Sequence, residues 1–179
     1  MTFLHASLSR AFGAAALLAC LSLPAAAQGA LLFTTDFEDG TLRGWTQTGT
    51  AFQYQPTLGD NPTARNRGQA SGHRGRYWIG GFEKFQGRAG EKPGTTQGDG
   101  PQGTLTSAPF AIGFRNLSFL IGGGSGDATR VELLVNGVPR LKASGRNNET
   151  MHRVTWDLKP YRGQNGRLRI VDQSSGGWG

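Results

Sequence analysis

The sequence has few of the residues from which metal and nucleophilic centres are built. It contains one cysteine, Cys20, and three histidines among 179 residues. It has no HExxH pattern, no cysteine-based metal pattern and no serine in a nucleophile elbow. A glycosidase needs two carboxylates that face each other across the scissile bond, and the sequence pairs none of its acidic residues in this way. We therefore predict that the protein is not an enzyme.

The sequence also lacks a basic tract. Lysine and arginine outnumber aspartate and glutamate by 19 to 12, but no run of five or six basic residues occurs. Scattered arginines of this kind favour a solvated surface that suits solubility or anionic envelope polymers. We predict no nucleic-acid partner.

Residues 1–27 are typical of a secretory signal peptide. Arg10 precedes the apolar run "AFGAAALLACLSLP", which is too short to span a bilayer. Ala25 and Ala27 supply small residues at the −3 and −1 positions, so we expect cleavage after Ala27 and a secreted or periplasmic protein. An alternative interpretation takes "LLAC" as a lipoprotein box, in which case an acylated Cys20 would anchor the protein to a membrane.

Residues 28–179 indicate one all-β domain without a disulfide, because Cys20 would be removed with the signal peptide. Sustained helical periodicity is absent, and short β-branched and aromatic runs are separated by Gly, Asn, Asp and Pro. This pattern is typical of a β-sandwich or jelly roll of about eight to ten short antiparallel strands. The predicted strands are Leu31–Phe37, Trp45–Gln53, Tyr77–Glu83, Thr104–Ile112 with a break at Pro109, Leu117–Ile121, Arg130–Val135, Val138–Ser144, Met151–Leu158 and Arg167–Asp172.

Two local patterns fix details of this prediction. Asn136-Gly137 lies between two β runs, where a type I′ hairpin turn needs positive φ at both central residues. Strand alternation places Val131, Leu133 and Val135 on one face and Glu132 on the other. The tryptophans predicted to lie in the core are Trp45, Trp78 and Trp156.

Six segments of the sequence, taken together and in this order, resemble those of a known family. They are "DFEDGTLRGWTQTGTAFQ", "GRYWIGGFE", "GTLTSAPFAI", "LSFLIGGG", "VELLVNGVPRLKASGRNNE" and "RVTWDLKPYRGQNGRLRIVDQSSGGWG". From Asp36 to Gly179 the series resembles the fructan-binding carbohydrate-binding module found at the C-terminus of levanase-type enzymes of glycoside hydrolase family thirty-two.

The resemblance implies a β-sandwich that binds carbohydrate without cleaving it, with terminal fructose or another envelope or extracellular glycan as the ligand. In that family the last motif runs on into one more strand, so we expect this sequence to be a fragment. Two alternatives stay open. One is an extracellular adhesion or structural module that binds a protein or an envelope component, and the other is an accessory domain of a glycoside hydrolase.

The candidate ligand-binding residues combine an aromatic ring with charged groups. An indole can cover the apolar face of a sugar, while carboxylates and guanidinium groups hydrogen-bond its polar rim. The resemblance supports this role for Trp178, whose alternative is a core position. The other candidates are Asp172, Glu149, Arg153 and Glu83. Asp172 could instead cap its own turn, and Glu149 and Arg153 could form a simple salt bridge.

A metal site is a further expectation. Asp36, Glu38 and Asp39 cluster at a predicted strand end, and a structural calcium binds to oxygen ligands of this kind. Calcium needs six to eight ligands, so these three residues would form only part of its site. The alternative is an ordinary acidic turn. We expect no other cofactor.

Overall fold

The computed structural model describes residues 35–178. The predicted signal peptide, the lipoprotein box at Cys20 and the first part of the predicted strand Leu31–Phe37 lie outside the described residues. The described residues belong to one compact unit. Within the described residues, no helix is both long and apolar enough to cross a membrane.

The described chain is built almost entirely of short strands. Ten strands lie in this part of the chain: β1 (Trp45–Gly49), β2 (Thr57–Leu58), β3 (Tyr77–Trp78), β4 (Gly103–Ser107), β5 (Phe110–Ala111), β6 (Asn116–Gly123), β7 (Thr129–Val135), β8 (Val138–Ala143), β9 (Asn148–Asp157) and β10 (Asn165–Asp172). One helical turn, α1, spans Asn61–Ala64, and a 3₁₀ turn spans Lys159–Tyr161. The predicted all-β class is confirmed.

The strands form two layers. Strands β1, β4, β10, β7 and β8 lie side by side in this order in an antiparallel sheet, and β5 extends the line of β4 along β10. Strands β6 and β9 form a separate antiparallel pair. Leu117 and Trp156 from this pair share one buried cluster with Leu133 and Leu168 from the larger sheet. The two layers therefore pack face to face, as a β-sandwich requires.

The hairpin prediction is confirmed. Asn136 and Gly137 have φ of 50° and 81°, and they connect β7 to β8. The predicted alternation along β7 is also confirmed, because Leu133 and Val135 are buried in the core cluster and Val131 packs against it. Glu132 points to the opposite face of the sheet, where it is bound by two arginines.

Some predicted strands are too long, and glycine explains two of the errors. Strand β1 ends at Gly49 rather than at Gln53, because Gly49 has φ of 66° and any Cβ there would overlap the backbone of Gln102. The predicted strand Tyr77–Glu83 stops after Trp78, where Gly80 and Gly81 open a loop. Residues 35–37 are not in a strand, and Phe37 has φ of 59°.

Residues 50–102, which we call the loop region, are held by side-chain hydrogen bonds more than by strands. The Gln55 side chain accepts from the backbone N–H of Gly80 at 2.8 Å and donates to the carbonyl oxygen of Glu83 at 3.0 Å. Asp60 caps α1 and also accepts from the backbone of Ser71 at 2.9 Å. These bonds satisfy backbone groups that lack strand partners, so they fix the loops against the sandwich.

Candidate functional site

Several predicted site residues meet in one cavity at an end of the β6–β9 pair. The cavity, which we call the basin, has a volume of about 320 Å³. Its lining includes Glu83, Glu149 and Trp178 from the prediction, and Arg65, Arg67, Phe82 and Asp99 in addition. The loop region supplies one wall, and the end of β6, the start of β9 and the C-terminal turn supply the other.

Arg65 is the central cation of the basin. Its Nη2 atom donates to Glu83 Oε1 at 3.1 Å and to Glu149 Oε1 at 2.9 Å, so one guanidinium joins the loop region to β9. The guanidinium also lies 5.0 Å from the centre of the Phe82 ring. Its buried Nε atom has no hydrogen-bond partner within the described residues. An unsatisfied buried donor is costly, so this part of the Arg65 side chain is held in an unfavourable position.

Glu83 binds Arg65 from the protein interior and is itself almost fully buried. Its Oε2 atom accepts from the Asn61 side chain, which is held by the backbone of Thr95 and Gly94. Burial raises the pKa of Glu83 above its ordinary value, although the hydrogen bonds from Asn61 and Arg65 act in the opposite direction. Glu83 therefore serves chiefly to orient Arg65.

Arg67 and Trp178 form the outer edge of the basin. Arg67 Nε donates to Glu149 Oε1 at 3.0 Å, and the Arg67 guanidinium lies over the Trp178 indole at 5.3 Å. The Arg67 side chain is 49% exposed, so it can move at low cost. One carboxylate and one indole therefore hold the same arginine at the mouth of the cavity.

The glycine run "IGGG" at the end of β6 explains how Trp178 reaches this position. The Trp178 carbonyl oxygen lies so close to Gly124 that a Cβ there would overlap it. Trp178 has φ of 69°, a conformation uncommon for a residue with a side chain. The indole is half-buried. The absence of a side chain at Gly124 therefore allows the backbone of Trp178 to approach the end of β6 closely.

Asp172 lies in the protein wall behind the basin rather than in its lining. Its side chain packs against Gly81 and accepts from the backbone N–H of Ser174 at 3.3 Å. Burial raises the pKa of Asp172 to about 6, the hydrogen bond from Ser174 opposes this rise, and the negative charge of Asp99 adds to it. The expected turn-capping contact is present, and Asp172 lines a second cavity, beside β6, rather than the basin.

Arg153 lies apart from the basin. It is exposed on β9, and its Nη1 atom donates to the Ser118 hydroxyl at 2.8 Å. The alternative prediction of a salt bridge between Arg153 and Glu149 is wrong, because Glu149 is bound to Arg65 and Arg67. In a regular strand, residues four apart such as Glu149 and Arg153 point to the same face. The pairing of β6 with β9 is irregular between Ile121 and Gly123, which interrupts this alternation between the two residues.

The three acidic residues of the predicted calcium site bind three different backbone segments. Asp36 accepts from Glu38 N at 3.1 Å, Asp39 accepts from Thr41 N at 2.9 Å, and Glu38 accepts from the backbone of Arg76 and Tyr77. No group of three or more His, Cys, Asp or Glu that could hold a metal occurs in residues 35–178. Calcium at Asp36, Glu38 and Asp39 stays a prediction.

Sequence reasoning missed Arg65, Arg67 and Asp99 because they lie in segments that read only as polar loops. For Arg65 and Arg67 the sequence does contain one local signal, the pattern of a helix start. The stretch "DNPTARNR" places an N-cap residue, Asp60, before a proline, as at a helix start. The resulting turn α1 directs Arg65 inward and is followed by Arg67. Asp99 has no comparable local signal.

The chain is similar to part of one curated fungal protein. It is 32% identical over 148 residues to "Putative glycosyl hydrolase ecdE" of Aspergillus rugulosus. The match covers 80% of this chain but only 19% of that relative, so the similarity concerns about a fifth of the larger protein. No protein-family model matches the chain. No solved structure matches it either.

Proposed function

We propose that the protein is a non-catalytic carbohydrate-binding domain and that the basin is its sugar site. The observation that carries this proposal is the convergence of Trp178, Arg65, Arg67 and Glu149 around one cavity. A sugar presents apolar C–H faces and hydroxyl rims, which match an indole face and charged hydrogen-bonding groups respectively. The similarity to part of a protein named as a glycosyl hydrolase supports a role connected with carbohydrate.

The charges of the basin favour a neutral polyol over a charged ligand. Arg65 and Arg67 are already balanced by Glu83 and Glu149. A hydroxyl group can donate to a carboxylate and accept from a guanidinium at the same time, so a sugar can enter without leaving either charge unpaired.

The size of the basin favours a single sugar unit. Its volume of about 320 Å³ is at the lower end of the roughly 300–1,000 Å³ that is usual for small-molecule sites. A chain end fits such a cavity better than the middle of a polysaccharide. Together with the fructan-module resemblance of the sequence, this favours terminal fructose, with other exported or envelope glycans as the alternative ligands.

Binding to the Trp178 face requires Arg67 to move or to share that face. Because the Arg67 side chain is half exposed, its displacement costs little, and Glu149 can keep one of its hydrogen bonds during the exchange. The sugar would then rest on the indole with its hydroxyls directed to Glu149 and to the guanidinium groups of Arg65 and the displaced Arg67.

The test is calorimetric titration with fructose, inulin, levan and a panel of unrelated oligosaccharides. We expect Trp178→Ala to weaken binding by at least tenfold with the melting temperature unchanged. Arg67→Ala should also weaken binding, whereas Arg43→Ala, which removes an arginine that is 84% exposed and distant in sequence, should leave it unchanged. Binding that survives both Trp178→Ala and Arg67→Ala would exclude the basin.

One observation favours catalysis as a second candidate. Glu83 and Glu149 bind the same nitrogen of Arg65, so their carboxyl groups are close enough to suggest a retaining pair. However, Glu83 is buried, and both of its oxygens accept hydrogen bonds from Asn61 and Arg65. We therefore expect no reducing sugar to be released from levan or inulin. Release that is abolished by Glu149→Gln would establish an enzyme instead.

The adhesion alternative is distinguished by a glycan array. Absence of binding to every glycan, together with capture of an envelope protein through the basin surface, would favour an adhesion or structural module. Binding to a glycan that is competed by the free sugar would favour the proposal made above.

A further inference from the structure

The larger sheet has a second face, which points away from β6 and β9 and which we call the outer face. Arg130 of β7 and Arg169 of β10 both bind Glu132, the β7 side chain that points away from the core. Arg167 lies two residues before Arg169 on β10 and therefore shares its face. Lys142 of β8 lies opposite Glu132 in the strand register. The outer face therefore gathers basic side chains from three neighbouring strands.

A groove with a volume of about 650 Å³ lies on this face, over β7 and the edge strand β8. Its basic lining residues are Arg130, Arg140 and Lys142, and its acidic ones are Asp127 and Glu132. Strand alternation places Arg140 on the same face as Lys142, two residues later. The groove therefore extends the basic surface to the edge of the sheet.

Only part of this positive charge is neutralised. Glu132 is shared by the arginines of β7 and β10, and Asp127 binds the lysine of β8 at 2.7 Å. Arg140 and Arg167 are exposed, and neither has a carboxylate partner within residues 35–178. Arg167 Nη1 donates to the Ser107 carbonyl oxygen at 2.9 Å, which fixes its guanidinium on this face. Five basic and two acidic residues leave an excess of positive charge that favours an anionic ligand.

The two arginines that Glu132 holds can also take part in binding. Glu132 Oε1 accepts from Arg130 Nε at 2.6 Å, and Glu132 Oε2 accepts from Arg169 Nε at 2.7 Å. The two arginine side chains are 19% and 31% exposed. A guanidinium has five N–H donors, and a carboxylate can accept two of them in parallel. Glu132 therefore positions both guanidiniums and leaves each with further donors for a ligand carboxylate.

The other half of the outer face carries hydroxyl groups instead of charges. Thr46 pairs with Thr106 and Thr48 pairs with Thr104 across β1 and β4. The hydroxyl oxygens of Thr48 and Thr104 lie 2.7 Å apart. Thr106 is in turn opposite Arg169 on β10. Hydroxyls and cations therefore lie in line across the sheet, whose five strands span roughly 19 Å.

We propose that the outer face binds an acidic polysaccharide, a linear polymer of sugars that carry carboxylate groups. The guanidiniums bind the carboxylates, and the threonine hydroxyls bind the sugar hydroxyls. Neither the groove lining nor the threonine rows include an aromatic ring. This surface therefore offers no platform on which a nucleic-acid base or a neutral sugar ring could stack. The groove shares no lining residue with the basin, so the proposal does not depend on the function of the basin.

Calorimetric titration with polygalacturonate at low salt tests the proposal. Arg140→Gln combined with Arg167→Gln removes the two exposed arginines that lack a carboxylate partner, and we expect at least tenfold weaker binding with the melting temperature unchanged. The matched control combines Arg88→Gln with Arg115→Gln. It removes the same charge from two exposed arginines outside the strands of the larger sheet, and the affinity should stay within about twofold. Equal weakening in the two double variants would overturn the proposal, because net charge alone would then explain binding.

A comparison of polymers tests the proposal without any variant. Polygalacturonate whose carboxylates are methyl esters keeps its hydroxyls and loses its charge, so it should bind at least tenfold more weakly. No binding of polygalacturonate at low salt would overturn the proposal. Tighter binding of duplex DNA than of polygalacturonate, at equal charge concentration, would overturn it in favour of a nucleic-acid surface.

The two binding surfaces are separated by exchanging variants and ligands. Trp178→Ala should leave polygalacturonate binding unchanged, and the Arg140→Gln, Arg167→Gln double variant should leave fructan binding unchanged. Loss of polygalacturonate binding in Trp178→Ala would overturn the assignment of this ligand to the outer face. Failure of fructan to bind would count against the basin alone.

Discussion

The loop region and the strands β4–β10 bury different kinds of side chain. Between β4 and β10 the main core is apolar, and it includes Leu133, Leu158 and Ile112, none of which is exposed. The loop region also has a small apolar cluster at Ala51 and Phe52. Most of the buried polar residues nevertheless belong to it: Gln55, Thr57, Asn61, Ser71, Glu83 and Gln86. A chain with few strands needs these side chains to satisfy its backbone, and the same side chains hold the basin in shape.

Two buried glutamates, Glu132 in the strands and Glu83 in the loop region, differ in the direction of their pKa shifts. Glu132 on β7 accepts from Arg130 at 2.6 Å and from Arg169 at 2.7 Å. Burial acts to raise the pKa of Glu132, but these hydrogen bonds and charges lower it below its ordinary value. For Glu83 burial prevails and the pKa is raised. The strand carboxylate is therefore well compensated, whereas the loop carboxylate is held in a more costly position beside the basin.

The largest expected effect comes from replacing these two residues in parallel. Glu83→Leu removes one of the two carboxylates that bind Arg65 and one acceptor of the buried Asn61 side chain, and breaking a buried pair in this way costs about 3–5 kcal/mol. Glu132→Leu should cost less, because its partners are two arginines whose side chains are 19% and 31% exposed, whereas Glu83→Leu also removes an acceptor from Asn61, which is 1% exposed. Urea unfolding measures the free energies, and calorimetry measures sugar binding.

Only Glu83→Leu should abolish binding, and Glu132→Leu should keep the affinity within about twofold. Equal losses of affinity would mean that the two regions act as one unit, which would remove the distinction between a strand scaffold and a loop-built site.

The difference between the regions also explains what the sequence could predict. Strands such as β7 and β10 follow from alternation, and the β7–β8 turn follows from Asn136-Gly137, because these signals are local. The basin depends on contacts between residues far apart in sequence, such as Arg65 with Glu149. Family resemblance and chemical type indicated Glu83, Glu149 and Trp178 as candidates. Neither indicated Arg65, because its position depends on the tertiary placement of α1.

The second-largest expected effect is a pH dependence of stability caused by Asp172, which lies at the boundary between the two regions. Its pKa is about 6 in the folded protein against 3.8 as the ordinary value, so the folded state binds the proton more tightly than the unfolded state. Stability therefore falls as the pH rises from about 4 to 6, and the full cost, on the order of 3 kcal/mol, applies above pH 6.

Asp172→Asn should remove this dependence. We expect the variant to be more stable than the original protein at pH 8 and equal to it at pH 4, as measured by thermal unfolding across this range. A variant that is less stable at pH 8 would show that the ionised carboxylate is stabilised by contacts within the wall of the basin.

A smaller effect is expected at Gln55, which ties the loop region together. Its Oε1 atom accepts from Gly80 N and from the Thr57 hydroxyl, and its Nε2 atom donates to the carbonyl oxygen of Glu83. Gln55→Ala leaves these groups unsatisfied and should cost about 1–3 kcal/mol. Because the segment 80–83 forms part of the basin, sugar affinity should fall as well. Gln53→Ala, two residues earlier and exposed, is the control and should change neither quantity.

The smallest effect is expected at Arg153, whose predicted ligand role the geometry does not favour. Arg153 is exposed and bonds only to the Ser118 hydroxyl within residues 35–178. Arg153→Ala should therefore change stability by no more than about 0.5 kcal/mol, and sugar affinity should stay within about twofold. Arg67→Ala, in the same titration, should weaken binding by at least tenfold. Because Arg153 lines a second cavity beside β6 and Arg67 lines the basin, the reverse result would move the sugar to the edge of β6, and the strand layers rather than the loops would carry recognition.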